Sequence, residues 1–149
     1  MTLITTFKEK KREKQIKYER TVLRDLSIQM LKTSVKQYFG SSRIASSVLM
    51  KAGMEEACYD IAIEGYLLGA RMSRFGYFGE ELKQVRTRCE EELKHLSDTL
   101  YNFILYWGHG LYDEGIHSES LFYLCEAYVD HWFREGFTKG ERRYKLRLH

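Results

Sequence analysis

The stretch that decides the fold is EGYLLGAR at Glu64–Arg71, which returns as EGFTKGER at Glu135–Arg142, 71 residues later. Each copy has a Glu, two glycines one helical turn apart, an aromatic residue and an Arg at the same spacing. Glycine inside a helix costs about 1 kcal/mol relative to alanine, so four such glycines indicate a packing requirement. We therefore predict that this twin motif, residues 64–71 and 135–142, brings helices into close contact in two related halves of the molecule. The residues assigned to it are Glu64, Gly65, Gly69, Arg71, Glu135, Gly136, Gly140 and Arg142.

The charged residues of the twin motif allow a second interpretation. If Glu64, Arg71, Glu135 and Arg142 faced inward together, they would form a cluster that binds a small charged ligand. Buried charges are costly unless they are paired. Pairing between neighbouring helices is therefore the simpler interpretation, and the ligand cluster is the alternative.

The composition favours helices. The chain has 149 residues, no proline and 44% hydrophobic residues. Proline breaks helix interiors, so its absence favours long helices joined by short connections. Apolar residues recur at spacings of three and four, and no segment alternates with a period of two. We predict an all-α fold in a single helical domain over residues 1–149.

Apolar spacing and glycine positions locate the helices along the chain. The predicted ranges are 7–38, 54–75, 80–107 and a last helix from Ser118, with a short connecting helix at 43–51 and a glycine loop after residue 107. Such helices suit an antiparallel bundle. In an up-down-up-down arrangement the second and fourth long helices are parallel and lie on a diagonal. Because they carry the twin motif, we predict an internal helical-hairpin repeat.

The net charge of +3 is distributed unevenly along the chain. Residues 1–24 carry eight Lys/Arg against three Glu, and residues 139–149 carry five against one. Residues 25–138 carry 11 basic and 17 acidic residues. In the predicted bundle, a projecting basic arm at 1–15 and a basic tail at 141–149 share one end. The candidate interaction surface consists of Lys8, Lys10, Lys11, Arg12, Lys14, Lys17, Arg142, Arg143 and Lys145.

These charges favour an acidic protein partner or self-association, with nucleic acid or another anionic surface as the alternative. A solvated helix start would also account for them. However, positive charge at a helix N-terminus opposes the helix dipole, which favours an acidic partner. No aromatic residue interleaves with the basic residues of this segment, which weakens a role in stacking on single strands.

Metal or enzyme chemistry has little support in the sequence. Glu92 with His95 and Glu114 with His117 match the Glu-x-x-His spacing of di-iron carboxylate bundles, for which the Glu residues of the twin motif could supply further ligands. The two pairs are only 22 residues apart, and the second lies between loop glycines. We predict no metal site, no cofactor and no catalytic residue, and a small-ligand or metal-binding bundle remains the second alternative function.

The cysteines and the lengths of the apolar segments indicate the cellular compartment. Cys58, Cys89 and Cys125 stand singly on apolar helical stripes, which predicts buried thiols in a reducing cytosol. Residues 1–14 lack the apolar stretch of a signal peptide. The longest nearly apolar run, residues 100–107, is too short to cross a bilayer. The sequence therefore predicts a cytoplasmic protein without a transmembrane segment.

Two segments resemble a known family. They are YERTVLRDLSIQMLK at Tyr18–Lys32 and the first copy of the twin motif at Glu64–Arg71. Together they resemble the YbaK-like family of uncharacterised small proteins from Bacillus-type bacteria, over most of the chain. This family is unrelated to the aminoacyl-tRNA deacylase that shares its name. The resemblance implies a bacterial cytosolic protein without an assigned activity, so it transfers no functional residue. We interpret the chain as a non-enzymatic interaction or regulatory module.

Overall fold

The computed structural model describes residues 3–40, 54–107 and 118–146, and this part of the chain forms α-helices and no strand. The helices are α1 Leu3–Leu23, α2 Ile28–Phe39, α3 Met54–Tyr77, α4 Leu82–Arg88, α5 Glu90–Trp107 and α6 Ser118–Leu146. The predicted all-α fold is confirmed. The predicted connecting helix at 43–51 and the glycine loop after residue 107 lie outside the described residues.

Two of the predicted long helices are each divided, so their prediction as single helices is wrong. The range 7–38 is interrupted after Leu23, where the Leu26 N–H donates to the Leu23 carbonyl at 3.0 Å. Ser27 then starts α2, because its hydroxyl accepts the Met30 N–H at 3.2 Å and caps the new helix. The range 80–107 is interrupted at Cys89, whose φ of −123° and ψ of 28° lie outside the helical region.

Helices α3 and α6 form the centre of the fold and run parallel. Near their starts, the Tyr128 hydroxyl donates to the Cys58 carbonyl at 2.9 Å. Near their ends, the rings of Tyr77 and Tyr144 stack with centroids 5.4 Å apart. Residue numbers therefore rise together along both helices. The parallel direction agrees with the prediction, but the diagonal separation is wrong because α3 and α6 are in direct contact along their lengths.

The remaining helices flank this central pair and run opposite to it. On one side, Trp132 Nε1 donates to the Ser34 hydroxyl at 3.2 Å, which joins α2 to α6. On the other side, the rings of Tyr101 and Phe122 lie 5.3 Å apart and join α5 to α6. Arg86 of α4 forms an ion pair with Asp130 of α6. Each half of the chain is thus a divided helix followed by a long helix that carries one copy of the twin motif.

The core is built on aromatic residues of the central pair. Tyr66, Tyr128 and Trp132 are fully or almost fully buried, and their cluster extends to α2 and α5. A second cluster joins Leu68 and Phe133 to the residues of α4 and its end. Burying a large apolar side chain stabilises a fold by about 1.5–3 kcal/mol. The central pair therefore supplies much of the hydrophobic stabilisation of both halves.

The three cysteines lie in this core, which leads to a prediction about their reactivity. Burial raises the pKa of Cys58 and Cys125 to about 12 and that of Cys89 to about 11. Because the thiolate is the reactive form, we expect no reaction with a disulfide reagent in the native protein at about pH 8, and three reacting thiols in denaturant.

The raised pKa values of the cysteines make the stability of the protein depend on pH. A thiol that is kept neutral by folding ionises more easily in the unfolded chain. The stabilisation from Cys58 is therefore complete below its ordinary pKa of 9.0 and is lost as the pH rises toward about 12. Rapid modification of any of the three thiols in the native protein would contradict this placement of the cysteines.

Candidate interaction surface

The glycines of the twin motif lie where α3 and α6 touch. A Cβ atom at Gly69 would overlap the Phe133 carbonyl oxygen and stand 2.8 Å from the Phe137 amide nitrogen. A Cβ atom at Gly140 would overlap the Ser73 hydroxyl. Real Cβ atoms do not approach backbone as closely as at Gly69, so glycine is required there for the observed helix separation, whereas at Gly140 the Ser73 side chain would have to move. The structure brings the two copies of the motif together on one interface, where each approaches the other helix of the pair.

Two further glycines show that the copies are not equivalent in space. A Cβ atom at Gly136 would overlap the Tyr66 carbonyl oxygen and lie 3.0 Å from Tyr66 Cα. A Cβ atom at Gly65, the corresponding position of the first copy, would lie 3.5 Å from Trp132 Cβ, an ordinary contact distance. Gly65 is thus buried at the interface without the severe steric requirement of Gly136.

The charged residues of the twin motif lie on separate outer faces. Glu64 and Arg71 are exposed and line a cleft of about 360 Å³ between α3 and α5, together with His95. Glu135 is half-buried beside Trp132 on the side that faces α2. The structure therefore does not bring these charges together, and the inward-facing ligand cluster is not formed.

The candidate metal ligands also fail to assemble in the described part of the chain. Glu92 and His95 share the cleft with Glu64. Even so, no group of three or more His, Cys, Asp or Glu residues has a geometry that could hold a metal ion among residues 3–40, 54–107 and 118–146. Glu114 and His117 lie outside the described residues.

Arg143 does not belong to the exposed basic surface, which corrects the sequence prediction. Its side chain is only 10% exposed and forms an ion pair with Asp25. The same guanidinium donates to the Val22 carbonyl at 3.3 Å, so it caps the C-terminal end of α1. Arg143 lies one residue from Arg142, but successive helix residues point about 100° apart. Arg143 thus turns inward while Arg142 stays exposed.

The direction of α1 places its basic half beside the ends of α3 and α6. The Tyr18 hydroxyl donates to the Ala70 carbonyl at 3.1 Å. Further along α1, the Val22 carbonyl meets Arg143, whose charge also acts on the buried Tyr66 hydroxyl. Helix α1 thus runs opposite to α3. Residues before Tyr18 extend toward the end at which α3 and α6 finish, so the described residues of the two predicted basic segments lie at the same end.

We call this region the basic end. It consists of the exposed residues Lys8, Lys10, Lys11, Arg12, Lys14, Lys17, Arg74, Arg142 and Lys145. Between residues 8 and 20 there are seven Lys/Arg against three Glu. The ion pairs found among the described residues join Arg86, Arg88, Arg134 and Arg143 to carboxylates and include no member of the basic end.

Aromatic residues also lie at the basic end. The sequence pattern did not identify them as part of the site. Phe78 is 76% exposed in the turn after α3, and Tyr77 stacks on Tyr144 beside it. The turn follows from Gly79, whose φ of 108° is readily adopted only by glycine. Gly76 and Gly79 predict this turn, but nothing in the sequence shows which basic segment it faces.

Comparisons with known proteins agree with the resemblance noted above. The family described as "Protein of unknown function (DUF2521)" matches residues 1–149. The chain is 28% identical over 152 residues to the "Uncharacterized protein YbaK" of Bacillus subtilis (strain 168), with 99% of each chain covered. The predicted YbaK-like resemblance is confirmed. No solved structure matches the chain significantly. None of the described helices combines the length and the apolar character needed to span a membrane.

Proposed function

This chain belongs to the DUF2521 family, and we propose that it is a non-enzymatic interaction module of the bacterial cytosol that binds a negatively charged partner through its basic end. The observation that carries the proposal is the concentration of exposed Lys and Arg side chains outside the ion pairs of the described residues. Like charges held this close repel one another and raise the energy of the free protein. A negatively charged partner offsets this repulsion.

The charge distribution supports the proposal in a second way. Residues 25–138 are acidic overall, whereas the basic half of α1 extends toward the end at which α3 and α6 finish. Such a division orients the protein as it approaches an anionic partner, because the basic end is attracted and the acidic body is repelled. Every side chain from Phe7 to Lys17 is exposed, so the basic half of α1 lies outside the core, and core packing does not explain its charges.

Charge reversal at α1 tests the proposal. We expect Lys11→Glu, Arg12→Glu and Lys14→Glu together to weaken binding to a negatively charged probe by about tenfold or more. The probes are a polyglutamate peptide, a single-stranded RNA and vesicles that contain phosphatidylglycerol, each followed by titration at low salt. Binding should also fall steeply as salt is added.

A matched control variant distinguishes the effect of where the charges lie from the effect of the net charge of the protein. The triple variant Lys32→Glu, Lys36→Glu and Lys94→Glu has the same total charge but changes exposed residues of α2 and α5. We expect it to bind like the wild type, and both variants to keep the wild-type melting temperature because none of the six side chains is buried. Failure of the wild type to bind any of the three probes, or equal losses in both variants, would contradict the proposal.

A further inference from the structure

We infer that the partner of the basic end is the surface of an anionic lipid bilayer. The inference rests on the proposed function and adds the class of partner. Its basis is that exposed apolar side chains and exposed cations occur together at the basic end. Electrostatic attraction alone would require only the cations.

Exposed hydrophobic residues are concentrated at this end of the molecule. Among the residues whose side-chain burial the structure describes, eight large hydrophobic side chains are exposed, and five of them lie at the basic end. These five are Phe7, Ile16, Tyr77, Phe78 and Leu146, with Phe78 and Phe7 the most exposed at 76% and 69%. An exposed Phe is unfavourable in water, so its repetition at a charged end indicates contact with an apolar phase.

Helix geometry places the apolar and basic residues at a common level. Phe7, Lys11, Lys14 and Tyr18 recur at spacings of four, three and four, so they share one face of α1. Tyr18 on that face contacts Ala70 of α3. With a rise of about 1.5 Å per residue, α1 extends about 15 Å from Tyr18 to Lys8, while α3 extends about 10 Å from Ala70 to its end. Lys11 therefore stands close to the level of Phe78, and Phe7 lies about 5 Å beyond it.

The shape of the basic end favours a bilayer over a folded acidic protein. Protein partners are held by a few anchors in well-packed pockets. The cleft found at this end, between Thr138, Glu141, Arg142 and Lys145, has a volume of only about 200 Å³. A bilayer needs no such cleft, because separate apolar side chains enter the headgroup region while Lys and Arg contact the phosphates.

The same features argue against a nucleic acid as partner. Single-stranded nucleic acid is bound in basic grooves by aromatic rings on which the bases stack. Phe7 and Phe78 offer exposed rings, but Ile16 and Leu146 offer none, and the ring of Tyr77 already stacks on Tyr144. Aliphatic side chains next to lysines suit lipid, in which apolar chains lie beneath a negatively charged layer.

Vesicle co-sedimentation with a charge-neutral variant tests the inference. We expect the wild type to bind vesicles containing phosphatidylglycerol at least about tenfold more tightly than pure phosphatidylcholine vesicles. The double variant Phe7→Ser and Phe78→Ser should lose about tenfold in affinity for the anionic vesicles, because two apolar insertions are removed. Its binding to polyglutamate and to RNA should match that of the wild type, since no charge has changed.

The control variant is Ile28→Ser with Tyr123→Ser, which removes two exposed hydrophobic residues outside the basic end, at the start of α2 and near the start of α6. We expect it to keep wild-type binding to vesicles, and both variants to keep the melting temperature. Tighter binding to RNA or polyglutamate than to anionic vesicles, or no effect of the two Phe substitutions, would overturn the lipid inference and leave the proposed function standing. Absence of binding to all three probes would overturn both.

Discussion

Replacing Gly136 by alanine is expected to lower the free energy of unfolding by about 3 kcal/mol, which is the upper part of the usual range for overpacked interiors. The new Cβ atom would overlap the Tyr66 carbonyl oxygen and stand 2.8 Å from the carbonyl carbon. Backbone atoms in the middle of α3 cannot yield as a flexible side chain does. Helices α3 and α6 must therefore separate, and the core around Tyr66 and Trp132 loses contacts.

Thermal or urea unfolding followed by circular dichroism measures this effect, and the chain provides its own control. At Gly65 the added Cβ atom would be 3.5 Å from Trp132 Cβ and would fit. Alanine is also a better helix former than glycine by about 1 kcal/mol. We expect Gly65→Ala to leave stability unchanged or increased, although the two glycines correspond in sequence. Equal losses of stability at the two positions would show that the described approach of α3 and α6 is wrong.

Replacing Arg143 by methionine should lower the free energy of unfolding by about 2 kcal/mol, because hydrogen bonds of a charged group are removed from a buried site. Methionine keeps much of the apolar stem, so the loss reports on the guanidinium. The Val22 carbonyl at the end of α1 would be left without this donor. Asp25 would lose its partner but is 48% exposed, so water limits the cost at that side.

The neighbouring Arg142 is the natural comparison for this variant. Its side chain is exposed and belongs to the basic end, so Arg142→Met should change stability by less than about 0.5 kcal/mol. A melting temperature that falls by several degrees for Arg143→Met and stays constant for Arg142→Met would support the capping role. The opposite order of effects would refute it.

Local sequence patterns predicted the helical content well and the interruptions poorly. Apolar residues keep the spacing of a helix across Leu23–Ile28 and across Cys89. The spacing therefore predicts a continuous helix over each of the two long ranges. After the interruption of the first range, the extended backbone of Ser27 and the hydrogen bond from the Met30 N–H to its hydroxyl start a new helix. Serine is also tolerated inside helices, where it bonds to the preceding turn. The choice between these roles depends on tertiary packing, which periodicity does not encode.

For the candidate site, too, local features could be predicted from the sequence, whereas tertiary contacts could not. Composition identified the two basic segments, because a cluster of charges is a local property. It assigned Arg143 wrongly to the exposed surface, because the ion pair with Asp25 joins residues far apart in the chain. The sequence also does not indicate a role for the exposed ring of Phe78, since only the contact between Tyr18 and Ala70 places the basic half of α1 at the same end as the turn after α3.

The pairing of α3 with α6 has a consequence for the order in which the protein folds during synthesis. Helix α3 emerges from the ribosome well before α6, whose contacts with it join Cys58 to Tyr128 and Tyr77 to Tyr144. Until then the glycine face of α3 has no partner, and its apolar neighbours remain open to the solvent. Contacts between distant residues form slowly because a long loop must close first. The helices made before α6 therefore lack their central contacts during synthesis, and α6 completes both halves once it has been made.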